Sequence, residues 1–332
     1  MSTTREFRGL DQVRILLIDT HLQIRSILSA SLHAHGFKPV QRSGQAQMRQ
    51  TLSIKLDHSQ GVTPEVVDKA LRDEEIDLFI ADIGRHENLL CEFVRRLREG
   101  ESGHNQFVIA VALATAPSQD SILNTLDSGF DDLLLKPLSL DHFHRRLDRF
   151  FEGRRPFVVS SDYIGPDRRR QTRAGFDDDL AIEVPNTLAE KANETMAKNR
   201  VYDRIAAARA EIDRLRIKHC AARIAWIADR LRGPATGRSG NHPQSSSPAS
   251  DLIGDLRRLN EDLMTRGDRS NLNFGIEYCR EIGELAALLF DRDPADAVAE
   301  VRRLVTCSRA VMKATGTDTQ LLHQSASVAA AD

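Results

Sequence analysis

The stretch Ile76-Asp77-Leu78-Phe79-Ile80-Ala81-Asp82 is apolar at every position except the second and the last. A strand with one wet face alternates apolar and polar residues, whereas a short run that is apolar throughout belongs to a strand buried on both faces. The same design recurs along the first half of the chain. Val13-Arg14-Ile15-Leu16-Leu17-Ile18 ends in Asp19, Phe107 to Ala114 makes a third run, and Leu133-Leu134-Leu135 leads into Lys136-Pro137. Helical patterns lie between these runs. Leu22 to His35 carries Ile24, Ile27, Leu28 and Leu32 at helical spacing, with Gly36 as its stop. Leu89 to Arg98 turns Phe93, Val94 and Leu97 inward, Ser121 to Asp127 forms a short helix, and Leu140 to Phe151 closes the unit. Strands alternating with helices predict an α/β domain over residues 11–153, its parallel sheet covered on both faces.

In such a sheet function gathers at the carboxyl ends of the strands. Two of those ends carry acids, Asp19 and Asp82, and a third carries Lys136. Two carboxylates and an ammonium converging on one crevice form a minimal kit for phosphorylating an aspartate. One carboxylate attacks phosphorus, another acid helps to hold Mg²⁺, and the ammonium neutralises charge on the transferred group. Magnesium suits a site with few carboxylates because it keeps several of its waters.

Residues 13–151, about two fifths of the chain, resemble the receiver domain of bacterial two-component response regulators. The matching pieces are Ile15-Leu16-Leu17-Ile18-Asp19 with Arg25 beyond, the 76–82 stretch, and Val94-Arg95-Arg96-Leu97-Arg98. The most specific is Ser128-Gly129-Phe130-Asp131-Asp132-Leu133-Leu134-Leu135-Lys136-Pro137. The resemblance implies a flavodoxin-like, doubly wound sheet of five parallel strands. It makes Asp82 the phosphoacceptor, Lys136 the phosphoryl-contacting lysine, and Asp19, Asp82 and the backbone carbonyl of Gly84 the Mg²⁺ ligands. It also implies a histidine kinase or phosphotransfer protein as partner, and a signalling role rather than an enzymatic one.

The chain departs from that family at several places. A second acid normally follows the first, and here Thr20 stands there, which weakens the expected Mg²⁺ site. Gly84-Arg85-His86-Glu87-Asn88-Leu89-Leu90 lacks the usual proline and glycine. The switch hydroxyl falls on Ala114, with Thr115 next to it, and the switch aromatic falls on Leu133. An insertion occupies roughly 48–73, where Thr63-Pro64-Glu65 opens an extra or lengthened helix. These departures leave a second expectation open, a pseudoreceiver that works by docking without phosphate.

The second half has another texture. Residues 154–188 are polar and arginine-rich and read as a linker. Arg169 and Arg173 match half of a cyclic-dinucleotide motif whose other half is missing, so they too read as linker. A long helix over 189–232 carries Val201, Ile205, Ala208, Ile212, Leu215, His219, Ala222 and Trp226 in alternating steps of four and three. That seam predicts a coiled coil, with homodimerisation, or a bundle edge. His219 lacks the lysine-glycine pair that follows a phosphotransfer histidine and reads as a packed residue. Residues 233–250 predict a flexible linker. A helical segment follows over 251–315, with Leu252, Leu256, Leu259 and Leu263 in one stripe, Tyr278, Ile282, Leu285 and Leu289 in another, and a last helix opening at Asp293-Pro294. Residues 316–332 predict a disordered tail.

Composition narrows the classes further. Over 332 residues, 46 basic and 48 acidic side chains leave a net charge of −2, which removes a global argument for nucleic acid. Between Lys191 and Arg232, 11 Lys/Arg face 5 Asp/Glu, but no DNA-binding motif accompanies them, so a solvated basic face is expected. Four dispersed cysteines, Cys91, Cys220, Cys279 and Cys307, fit neither a zinc spacing nor a disulfide framework. With no signal-peptide pattern and no apolar run approaching the roughly 20 residues of a membrane helix, the expectation is a cytoplasmic protein without a membrane partner.

Overall fold

A computed structural model describes residues 7, 9–19, 21–37, 51–53, 64–73, 75–168, 181–195, 198–235, 249–269, 275–290 and 292–317. The chain divides into two compact units, residues 1–158 with 163–209, and residues 159–162 with 210–332.

The first unit is α/β. Strands β1 (Ile15–Ile18), β3 (Leu78–Asp82), β4 (Ile109–Thr115) and β5 (Asp132–Lys136) form a parallel sheet, and the short segment β2 (Thr51–Ser53) pairs with β1 at its edge. The strand order is β2-β1-β3-β4-β5. Helices α1 (Leu22–Ala34), α2 (Pro64–Asp73), α3 (Glu87–Arg98), α4 (Gln119–Asp127) and α5 (Leu140–Glu152) make the connections.

Alternation along each strand sends neighbouring side chains to opposite faces, which is why the runs are apolar throughout. Leu16, Ile18, Phe79 and Ala81 meet Val67 and Leu71 of α2 and Phe93, Val94 and Leu97 of α3 in one core. Ile15, Leu17, Leu78 and Ile80 meet Leu28 and Leu32 of α1 and Phe143, Leu147 and Phe151 of α5 in the other. Gly36 ends α1 with φ +110°, a conformation open to glycine, and Phe37 N–H returns to Leu32 O. Ser118 caps α4 by accepting from Ser121 N–H. In the expected insertion, α2 bears out the helix opening at Pro64; residues 38–50 and 54–63 lie outside the described residues.

The expected linker over 154–188 is corrected. Strands β6 (Phe157–Val159), β7 (Ile164–Pro166) and β8 (Ala181–Ile182) form a small sheet of order β7-β6-β8, and residues 169–180, with Arg169 and Arg173, lie outside the described residues. Helix α6 (Thr187–Ala192), capped by Asn186, places Leu188 and Ala192 in the core beneath α5. Two of the arginines in this segment, Arg154 and Arg168, turn inward instead. Arg154 donates to Phe107 O, and Arg168 donates to Phe130 O. A guanidinium that satisfies main-chain carbonyls can be buried, and composition does not reveal that. The first unit therefore extends past residue 153.

The single helix expected over 189–232 is also corrected. It breaks after α6, where Glu194 takes φ +53°, and resumes as α7 (Lys198–Ala235). In the second unit α7 packs with α8 (Ala249–Arg269), α9 (Ile276–Phe290) and α10 (Val298–Ala314) around one core. That core includes Ile224, Ile227 and Leu231 of α7, Leu256 and Leu263 of α8, Ile282 and Leu289 of α9, and Val301 and Leu304 of α10. Of the heptad seam, Val201, Ala208, Ile212, Leu215, His219 and Ala222 are buried within the chain itself. The face of α7 that enters the helical core is Ile217, Cys220, Ala221, Ile224 and Leu231, beside the expected seam rather than along it. Helix α10 starts at Val298 rather than at Pro294, because Asp293 Oδ1 accepts from Ala295 N–H in a tight turn and does not cap the helix. Residues 236–248 of the expected flexible linker and 318–332 of the expected tail lie outside the described residues.

Candidate functional site

Strand register sets the site. Ile18 lies beside Ala81 and Asp82 beside Leu113, so Asp19 and Asp82 leave adjacent strands at one edge. Thr115 lies beside Lys136, which brings the end of β5 to that same edge. Lys136 Nζ stands 2.8 Å from Asp19 Oδ2 and 3.1 Å from Asp82 Oδ2. All three side chains are almost wholly enclosed, at 8% exposure for Lys136, 0% for Asp19 and 9% for Asp82. Two carboxylates this close repel, and the ammonium between them is the compensating charge. The three residues chosen from three separate strand ends thus meet in one crevice.

The surrounding backbone holds Asp19 and Asp82 in place. Asp19 Oδ1 accepts from His21 N–H at 2.7 Å, and Asp19 O accepts from Arg25 Nη1 at 2.9 Å. Past Asp82, Ile83 N–H donates to Leu113 O, and a short 3₁₀ turn (Gly84–His86) leads into α3. Gly84 adjoins the Asp82 carboxylate, since a Cβ there would lie 3.4 Å from Asp82 Oδ1.

Sequence reasoning missed His21. It stands at the N-cap position of α1, yet its side chain makes no capping bond. The imidazole Nδ1 reaches instead to 3.5 Å from Asp19 Oδ1 and 3.9 Å from Asp82 Oδ2, while most of the ring stays in solvent. Asp19, His21 and Asp82 form the group among the described residues able to hold a metal ion. The available signal was a metal-ligating residue type two places after Asp19, beside the position where the resemblance expects a second acid; Thr20 itself lies outside the described residues. The side-chain donors grouped at the crevice are therefore two carboxylates and a nitrogen, and the nitrogen is a ligand type that Mg²⁺ disfavours.

Ala114 is buried and carries no hydroxyl, Thr115 is exposed, and Leu133 packs half-buried against the core containing Phe79 and Phe130. His219 does not belong to the site. It is buried in the second unit, its Nε2 finds no hydrogen-bond partner, and burial, aided by the nearby Arg216 charge, pushes its pKa down to about 4. A buried neutral imidazole of this kind is a packed residue and not a phosphotransfer histidine.

No helix among the described residues is long and apolar enough to cross a membrane. Neither the protein-family models nor the curated proteins contain a match to this chain.

Proposed function

We propose that the first unit is a receiver domain that accepts a phosphoryl group on Asp82. The observation that carries this reading is the convergence of Asp19, Asp82 and Lys136 from three strand ends, with Lys136 Nζ in contact with both carboxylates. The strand order β2-β1-β3-β4-β5 supports it, because it is the flavodoxin-like order whose ligand crevice lies at the carboxyl edge beside β1 and β3. In the reaction an Asp82 oxygen attacks the phosphorus of a phosphohistidine on a kinase or phosphotransfer protein. A P–O bond forms, the P–N bond breaks, and the electron pair leaves with the imidazole. Lys136 then stands against the new charge on the phosphoryl oxygens. The protein is a cytoplasmic signalling component whose helical second unit is the output and does not bind DNA.

Incubating the full chain with acetyl phosphate and a divalent cation, followed by intact-mass measurement, tests the proposal. One phosphoryl group is gained by the native chain and none by Asp82→Asn. A gain that persists in Asp82→Asn places the acceptor elsewhere and overturns it.

A second reading is favoured by Ala114 and Leu133. Without a hydroxyl at one position and an aromatic ring at the other, the strand β4 and β5 surface lacks the parts that answer phosphorylation in the family. On this reading the domain docks to a partner without phosphate. It predicts no mass gain and a signalling output unchanged in Asp82→Ala.

A further inference from the structure

We infer that the Asp19–His21–Asp82 cluster is selective for a borderline divalent ion of the zinc class and not for Mg²⁺, with His21 as the nitrogen ligand. The inference uses the same crevice as the proposed receiver site but does not depend on phosphoryl transfer.

Three observations converge on it. The first is ligand chemistry. Imidazole nitrogen suits zinc-class ions, whereas Mg²⁺ is a hard ion that prefers oxygen and keeps its waters. The second is spacing. In a tetrahedral shell with bonds of about 2.0–2.2 Å, two ligand atoms stand about 3.3–3.6 Å apart; an octahedral Mg²⁺ shell at about 2.0–2.1 Å puts neighbouring ligands about 2.9 Å apart. Nδ1 of His21 is 3.5 Å from Asp19 Oδ1, within the tetrahedral range and beyond the spacing of neighbouring octahedral ligands, and 3.9 Å from Asp82 Oδ2, a distance that the exposed ring closes to the tetrahedral one by moving about 0.3 Å. The third is orientation. His21 holds the N-cap place of α1 but turns its ring over the crevice instead of capping the helix. Its own N–H fixes Asp19 Oδ1, and Lys136 fixes Asp19 Oδ2, so the carboxylate is already aimed by outer partners as metal ligands generally are. The exposed ring leaves an open side for a water as fourth ligand.

The arrangement also accounts for the lost acid. With Thr20 in that place, the crevice carries two carboxylates against one ammonium. Cation affinity then has to come from the strength of the nitrogen bond more than from charge.

The test uses the full chain labelled with ¹⁵N-histidine and titrated with Zn²⁺ alone and with Mg²⁺ alone, by calorimetry and by imidazole ¹H–¹⁵N spectra. The His21 signal is assigned by its loss in His21→Ala. Zn²⁺ is expected to shift the His21 resonance, and Zn²⁺ affinity is expected to fall about tenfold or more in His21→Ala while weak Mg²⁺ binding stays unchanged. Because most of the His21 ring is in solvent, this variant keeps the fold. A His21 resonance unmoved at saturating Zn²⁺, or a Zn²⁺ affinity indifferent to His21→Ala, overturns the inference. A chain that takes no phosphoryl group from acetyl phosphate, yet loses Zn²⁺ in His21→Ala, refutes the receiver proposal and leaves this one standing; the opposite pattern does the reverse.

Discussion

Replacing Asp131 strips the charge partner from two arginines buried deep in the first unit. Asp131 Oδ2 accepts from Arg98 Nη2 at 2.8 Å and from Ala110 N–H at 2.8 Å, and Oδ1 accepts from Arg154 Nη2 at 2.6 Å. The side chains are 4%, 1% and 3% exposed for Asp131, Arg98 and Arg154. Arg98 also donates to Gly129 O, Gln106 O and Val108 O, and both guanidiniums lie over the Phe157 ring. Those contacts satisfy donors but supply no negative charge. Burial pulls the Arg98 pKa down to about 10, and Asp131 is the strongest influence holding it up. Breaking a buried ion pair by removing one partner costs about 3–5 kcal/mol. Asp131→Asn keeps an acceptor and falls at the lower end of that range, and Asp131→Ala falls at the upper end. With a urea slope of about 2 kcal/mol per molar, the midpoint drops by about 1.5–2.5 M. The single tryptophan, Trp226, belongs to the second unit, so the assay follows methyl resonances of Ile15, Ile80 and Val111 through the urea transition. A drop under about 0.5 M for Asp131→Ala, equivalent to about 1 kcal/mol, would refute the reasoning and mean that the guanidiniums find compensation without the carboxylate.

The second unit should lose stability in acid through His219. Its folded pKa is about 4 against 6.5 unfolded, so the unfolded chain binds more protons between those values. Stability is complete above about pH 6.5, falls as pH drops towards 4, and loses roughly 3 kcal/mol in total; Trp226 fluorescence in urea reads it, and a native pH profile in His219→Gln would assign the loss elsewhere. Lys191→Met leaves Asp77 buried without the ammonium that stands 2.8 Å away, and the first unit should weaken by about 3 kcal/mol; methyl spectra through a urea titration measure this. Lys136→Met should slow phosphorylation from acetyl phosphate by about tenfold or more, a factor of 10 corresponding to about 1.4 kcal/mol of barrier, and an unchanged rate would remove Lys136 from the proposed chemistry. Leu256→Ala, at the fully buried centre of the helical core, should cost about 2–5 kcal/mol by thermal or urea unfolding of the second unit.

How much was legible in the residues depended on whether a signal was local. The strands around Leu16, Phe79 and Val111 announce themselves because burial on both faces demands apolar side chains at every step. Asp19, Asp82 and Lys136 stand out because they interrupt or end those runs at the edge where loops converge. The segment after Phe151 reads as linker because arginine signals solvent by composition, and only the fold reveals that Arg154 and Arg168 point at the carbonyls of Phe107 and Phe130, just before β4 and β5. The heptad seam of α7 was ambiguous for a different reason. Steps of four and three describe a stripe, and they are the same whether the partner comes from another chain or from elsewhere in the same one. His21 gave no spacing rule to follow, since its role depends on the ring turning away from the helix end it begins.

The charge in the crevice connects the two functional readings. A site with three carboxylates and one lysine carries a formal charge of −2 and draws a hard cation by charge alone. With Thr20 in place of the third acid, the charge drops to −1, and the pull on such a cation weakens with it. The same change lessens repulsion of a phosphoryl dianion approaching Asp82, so the need for a cation to screen that approach also declines. Lys136, held against both carboxylates, already supplies one positive charge in the right place. A neutral imidazole then adds a ligand without adding charge. On the proposed readings Asp82 is the nucleophile and His21 selects the ion, so cation selectivity and phosphoryl acceptance should separate under substitution at residues only a few ångströms apart.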